Sequence, residues 1–91
     1  MFMPVVEFTA NLARQTAAPS IQAGGETVAE VLDAVFAQQP ALRGYVLDDQ
    51  GAVRQHVVIF LDGVAIKDRR QLADVVRPDS ELFVMQALSG G

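Results

Sequence analysis

Thr27-Val28-Ala29-Glu30-Val31-Leu32-Asp33-Ala34-Val35-Phe36 decides how this chain folds. Thr27 and Glu30 have the T-x-x-E spacing of a capping box, in which a hydroxyl and a carboxyl satisfy the free N–H groups of a helix start. Val28, Val31, Leu32, Val35 and Phe36 recur at i, i+3, i+4, i+7 and i+8, so one helix face is wholly apolar. The helix is expected to stop near Gln39, because Pro40 disfavours helical backbone in the residue before it. A single apolar stripe must be buried against something else, and the flanking segments read as a sheet.

Downstream, His56-Val57-Val58-Ile59-Phe60-Leu61 is apolar at nearly every position, Asp62-Gly63 supplies a two-residue turn that favours positive φ, and Val64-Ala65-Ile66 returns as a hairpin. Upstream, Pro4 to Thr9 is rich in β-branched and aromatic residues, with Val6 and Phe8 facing inward. Asn11 to Ala18 turns the chain, and Pro19-Ser20-Ile21-Gln22 forms a second strand. Leu42 to Leu47 reads as irregular or a short extra element, and Asp48-Asp49-Gln50-Gly51 as a turn. Asp68 to Val76 is a loop with a short helical turn, anchored by Leu72 and by Val75 or Val76. Glu81 to Leu88 closes the series as a strand. The order is strand, strand, helix, strand, short strand, strand. It predicts a single α+β domain of the β-grasp type over residues 1–88, a mixed sheet covered on one face by one main helix. Its first and last strands lie parallel at the centre, and 89–91 form a flexible tail.

The 91 residues suffice for one domain, and 51% hydrophobic content is ample for a small core. The absence of cysteine removes disulfides, thiolate metal sites and a cysteine nucleophile. Met1-Phe2-Met3 lacks the basic and apolar regions of a signal peptide, and no apolar run approaches the roughly 20 residues of a membrane span. A cytoplasmic protein is expected. Lys+Arg 7 against Asp+Glu 11 gives a net charge of -4, which repels nucleic acid and anionic membranes. Protein partners with basic surfaces are the expectation.

The sequence closes on Leu88-Ser89-Gly90-Gly91. Glycine lets backbone enter a channel more closely than any other residue. The terminus therefore reads either as a tail inserted into a partner's active site and modified at its carboxylate, or as an ordinary frayed end.

With these elements in order, the chain resembles the ThiS/MoaD family of ubiquitin-like sulfur-carrier proteins. The resemblance rests on the Val6-x-Phe8 strand, the Thr27-Val28-x-x-Val31-Leu32 helix start, the Val57-x-Ile59-x-Leu61-Asp62-Gly63 hairpin and Asp79-x-Glu81-Leu82 leading to Gly90-Gly91. The longer Leu42 to Val57 stretch is similar to that of the CysO-type carriers, whereas Gln86 before the tail is ThiS-like. The resemblance implies a protein cosubstrate and not an enzyme, with no catalytic side chains and no bound cofactor. An adenylating partner would use ATP to convert the Gly91 carboxylate to an acyl-adenylate, and a sulfur donor would then displace AMP to leave a thiocarboxylate. A sulfur-acceptor biosynthetic enzyme would receive the sulfur. Gly90 would let the tail lie flat, with Ser89 and Leu88 setting its entry.

Strand parity indicates where such a carrier is gripped. If Val57, Ile59 and Leu61 face the helix, Val58 and Phe60 face away, and Phe83 and Met85 do the same on the closing strand. Val58, Phe60, Phe83 and Met85 then form an exposed patch for partner binding. The competing readings are that Leu42 to Val53 folds over this face, or that both faces of a central strand are simply buried. Other signals are set aside. Ala23-Gly24-Gly25-Glu26 lacks the spacing and lysine of a phosphate loop. His56 has no nucleophile beside it, Asp48-Asp49 and Asp79-x-Glu81 lack the ligand ladder of a calcium loop, and Arg69-Arg70 reads as a solvated loop. No metal site is expected. The rival functions are a ubiquitin-like modifier joined through Gly91 to a lysine amine, and a noncovalent β-grasp binding module.

Overall fold

The computed structural model describes residues 3–9 and 20–86. The expected Asn11 to Ala18 turn and the tail residues Leu88, Ser89, Gly90 and Gly91 lie outside them. The described strands are β1 (Val5–Phe8), β2 (Ser20–Gln22), β3 (Val57–Leu61), β4 (Val64–Ala65) and β5 (Glu81–Gln86). Helix α1 (Val28–Gln38) follows β2, and a 3₁₀ turn (Pro40–Leu42) leads into the short α2 (Arg43–Val46).

These strands form one five-stranded sheet in the order β2-β1-β5-β3-β4. β5 pairs parallel with β1 and antiparallel with β3, so it sits at the centre with neighbours on both edges. This is the β-grasp arrangement, with α1 packed on one face.

The helix starts where the capping box places it. Thr27 Oγ1 accepts from the Glu30 N–H at 3.2 Å, while Glu30 Oε1 accepts from the Glu26 N–H at 3.0 Å, one residue earlier than the ideal box. Gly25 permits this tight entry, because a Cβ there would lie 2.7 Å from the Val31 nitrogen. At the other end Gln39 is the C-cap, and Pro40 opens the 3₁₀ turn. The Asp62-Gly63 turn has φ of 51° and 85°, the paired positive values of a type I′ hairpin.

The core lies between α1 and the inward sheet residues. Val6, Val57, Ile59 and Val84 have no exposed surface, and neither do Val28, Val31 and Val35 of the helix. Leu61 joins this core only partly buried. The 40–53 segment supplies Leu42, Val46, Leu47 and Val53 to the same cluster. It therefore packs into the core and does not lie over the opposite face.

The loop after β4 holds the helix start in place. Val28 donates its N–H to the Asp74 carbonyl at 3.0 Å and Ala29 to that of Leu72 at 2.9 Å. Leu72 does this with φ of 57°, a left-handed conformation costing about 1–2 kcal/mol, while its side chain stays buried. Val76 is the second inward anchor; Val75 is 74% exposed.

Candidate functional site

On the face of the sheet away from α1, four apolar side chains form a square on the central strand β5 and its neighbour β3. Val58 pairs with Met85 and Phe60 with Phe83, and cross-strand partners in register point to the same face. Their inward neighbours Val57, Ile59, Leu82 and Val84 are buried at 0–1% exposure, whereas Phe83 is 38% exposed and Val58, Phe60 and Met85 are half-buried. The alternation is what a period of two requires of strands that, among the described residues, α1 covers on one side. Such a cluster, carrying two aromatics and a methionine, has the composition of an interface centre.

The carboxylates of the turns and loops organise backbone. Asp62, at the hairpin turn, accepts through Oδ1 from the Glu81 N–H at 2.9 Å and through Oδ2 from the Ser80 hydroxyl at 3.0 Å. Ser80 is the buried polar residue among those described, and its oxygen also accepts from the Arg77 N–H. The Glu81 N–H, with help from Ser80 and Arg77, holds the Asp62 carboxyl below the usual aspartate range. The result is a latch that fixes the start of β5 against the turn. Asp74 is lowered in the same way by the N–H groups of Lys67 and then Asp68, and Asp68 chiefly by that of Gln71. These carboxylates organise loops.

Arg69 departs from the sequence expectation of a solvated loop. Its Nη2 donates at 2.7 Å to the carbonyls of both Arg54 and Val57, and it is half-buried. It pins the 43–54 segment to the start of β3. Its neighbour Arg70 is exposed. No sequence pattern announces such a contact, because backbone carbonyls exist at every residue. His56 lines an open depression with Asp48, Arg54 and Gln55. Asp48 there is committed to the N–H groups of Gln50 and Ala52, and Arg54 Nε donates to the Gly44 carbonyl. The described residues hold no group of three or more His, Cys, Asp or Glu side chains that could bind a metal ion. The α1 N-terminus is also closed to anions, since its first donors are taken by Asp74, Leu72 and Thr27. Among the described residues no helix is long and apolar enough to cross a membrane.

The candidate site is therefore this sheet face, which the described residues leave uncovered and which includes β5. β5 closes at Gln86, whose N–H reaches Thr9 Oγ1 of the β1 end at 3.4 Å. Leu88, Ser89, Gly90 and Gly91 follow in sequence beyond the described residues.

Comparison with known proteins agrees with this architecture. The chain is similar to SAMP1 from Haloferax volcanii, with 25% identity, 97% of this chain and 98% of that chain covered, and a TM-score of 0.84. A chain of the Amycolatopsis orientalis BexX/CysO complex matches at 19% identity over 97% and 99% of the two chains, TM-score 0.85. CysO from Mycobacterium tuberculosis matches at 18% identity over 93% and 99%, TM-score 0.82. At such identities the two CysO likenesses show the fold. No curated protein sequence matches. The ThiS family model matches residues 6–91, nearly the whole chain and through both terminal glycines. The chain belongs to the ThiS family, a group of small ubiquitin-like sulfur-carrier and modifier proteins that are not themselves enzymes.

Proposed function

We propose that this chain is a sulfur carrier whose Gly91 carboxylate is activated by an adenylating partner and then carries sulfur as a thiocarboxylate. The carboxylate oxygen attacks the α-phosphorus of ATP and pyrophosphate leaves. A sulfide-level donor attacks the acyl carbon, AMP leaves, and sulfur replaces one carboxyl oxygen. A cytoplasmic biosynthetic enzyme then accepts that sulfur. A carboxylate is a poor electrophile until it has such a leaving group, and the chain needs no catalytic side chain or cofactor of its own because the partners supply the chemistry.

The observation that carries this reading is the family match running through Gly90-Gly91, on a chain whose preceding strand is paired on both sides. A tail that must enter a partner's channel benefits from a rigid origin. In this proposal Gly90 lets the tail lie flat, Ser89 and Leu88 set its entry, and Val58, Phe60, Phe83 and Met85 dock on the adenylating enzyme. The likeness to SAMP1 supports a second reading, in which the same activated Gly91 is joined to a lysine amine. Both readings share the first step.

The test is ATP–pyrophosphate exchange with the adenylating enzyme of the same cell. Gly91→Ala and deletion of Gly91 are expected to abolish exchange while leaving the thermal unfolding of the chain unchanged. Exchange at the wild-type rate by either variant would refute the assignment.

A further inference from the structure

The five strands contain two charged residues, Glu7 and Glu81, and no lysine, arginine or aspartate. Both lie on the open face and both border Phe83. Glu7 is its parallel register partner on β1, and Glu81 precedes it by two positions on β5 and so shares its face. Both are exposed, and among the described residues neither carboxylate has a salt-bridge partner. On the opposite flank the row ends in Ala65, paired with Phe60. The face is therefore an apolar square with acid at the corner occupied by Phe83.

The acid also has a fixed position relative to the tail. β5 runs from Glu81 to Gln86, so at about 3.3 Å per residue Glu81 lies roughly 17 Å behind the point where the chain leaves the sheet. Glu7, level with Phe83, lies roughly 10 Å behind it.

We infer that the surface receiving this face is an apolar socket edged by lysine or arginine on the side remote from the catalytic channel. This rests on the docking role proposed above and adds its chemistry and orientation. Such a cationic edge would draw in the acidic corner, and matching it to Glu7 and Glu81 points the tail toward the channel instead of away from it. Charges at the rim of an interface act chiefly on encounter and register, while the apolar centre holds the complex together. An anionic membrane or nucleic acid would be repelled, and a second copy of this chain would bring like carboxylates to the same face.

The experiment is stopped-flow or surface-plasmon measurement of association with the adenylating enzyme across a range of ionic strength, using the full chain. Glu7→Lys/Glu81→Lys is expected to lower the association rate about 10-fold at low salt, with Glu7→Gln/Glu81→Gln between it and wild type. The three should converge at high salt, where the Debye length falls to about 3 Å. Phe60→Asp is the separating control and should remove binding at every salt concentration. Loss with Phe60→Asp, but wild-type rate and salt slope in both glutamate pairs, overturns the cationic edge and leaves the docking face standing. Normal binding by Phe60→Asp overturns both. Association of the chain with itself, lost in Phe60→Asp and accompanied by no binding to the enzyme, does so as well.

Discussion

Leu82 and Phe83 are consecutive, both large and both apolar, yet the fold assigns them opposite fates, and truncating each to alanine should separate stability from recognition. Leu82 is 1% exposed and registers between Val6 on β1 and Leu61 on β3, so Leu82→Ala opens a cavity in the layer under α1. Core truncations of this type cost about 2–5 kcal/mol. Phe83 is 38% exposed on the open face, where solvent fills any space left behind. It loses only part of the ~1.5–3 kcal/mol of a fully buried aromatic together with its pairing against Phe60, about 1 kcal/mol in all. In a domain of this size 1 kcal/mol shifts Tm by about 4–8 °C. Leu82→Ala should therefore lower Tm by at least about 8 °C and Phe83→Ala by about 5 °C, read by far-UV circular dichroism with urea titrations as a check. Binding to the adenylating enzyme should show the reverse order, with Phe83→Ala losing about 2 kcal/mol of affinity as an anchor residue does. A loss of stability in Phe83→Ala as large as in Leu82→Ala would place that ring in the core and refute the assignment of the two faces.

Arg69→Ala removes the charged Nη2 donor shared by the Arg54 and Val57 carbonyls and should cost about 2 kcal/mol in urea unfolding. Arg69→Lys should recover only part of this, since a lysine nitrogen ends one bond short of the position from which Arg69 Nη2 reaches both carbonyls. Full stability in Arg69→Ala would mean that the 43–54 segment needs no such pin. The folded-state pKa of Asp62 lies below its unfolded value, so its contribution is present above about pH 3.9 and is lost as pH falls through the folded pKa. Asp62→Asn should therefore flatten the acid limb of stability below pH 4, leaving the limb above pH 5 parallel to wild type. Identical acid limbs in urea midpoints would show that the latch carries no linkage.

The elements that the sequence announces are those with local causes. Asp62-Gly63 shows its hairpin because few residue pairs tolerate two successive positive φ values. Thr27 and Glu30 show the helix start because the cap is made within one turn. Strand parity at Val57 to Leu61 and Leu82 to Met85 separates buried from open positions, since each side of a strand repeats every second residue. What escapes the sequence is set by chain path. Leu42, Val46, Leu47 and Val53 are apolar at spacings compatible with covering either face of the sheet, and only the route of the connection sends them to the helix side. Arg69 belongs to the same class, because its partners are backbone carbonyls fifteen and twelve positions away. The choice between Val75 and Val76 as loop anchor was likewise fixed by backbone pairing, with the Val76 N–H donating to the Glu26 carbonyl. Glu7 and Glu81 are 74 positions apart in the chain, and only the parallel pairing of β1 with β5 sets both beside Phe83.

The central claim is chemical, and it is tested most directly by intact-mass spectrometry of the protein recovered from its own cells under mild, non-alkylating conditions. The account predicts a subpopulation heavier by the exchange of one oxygen for sulfur, with fragmentation assigning the increment to Gly91 and not to an oxidised methionine. A terminus found only as the free carboxylate, in cells actively making the sulfur-containing product, would contradict it.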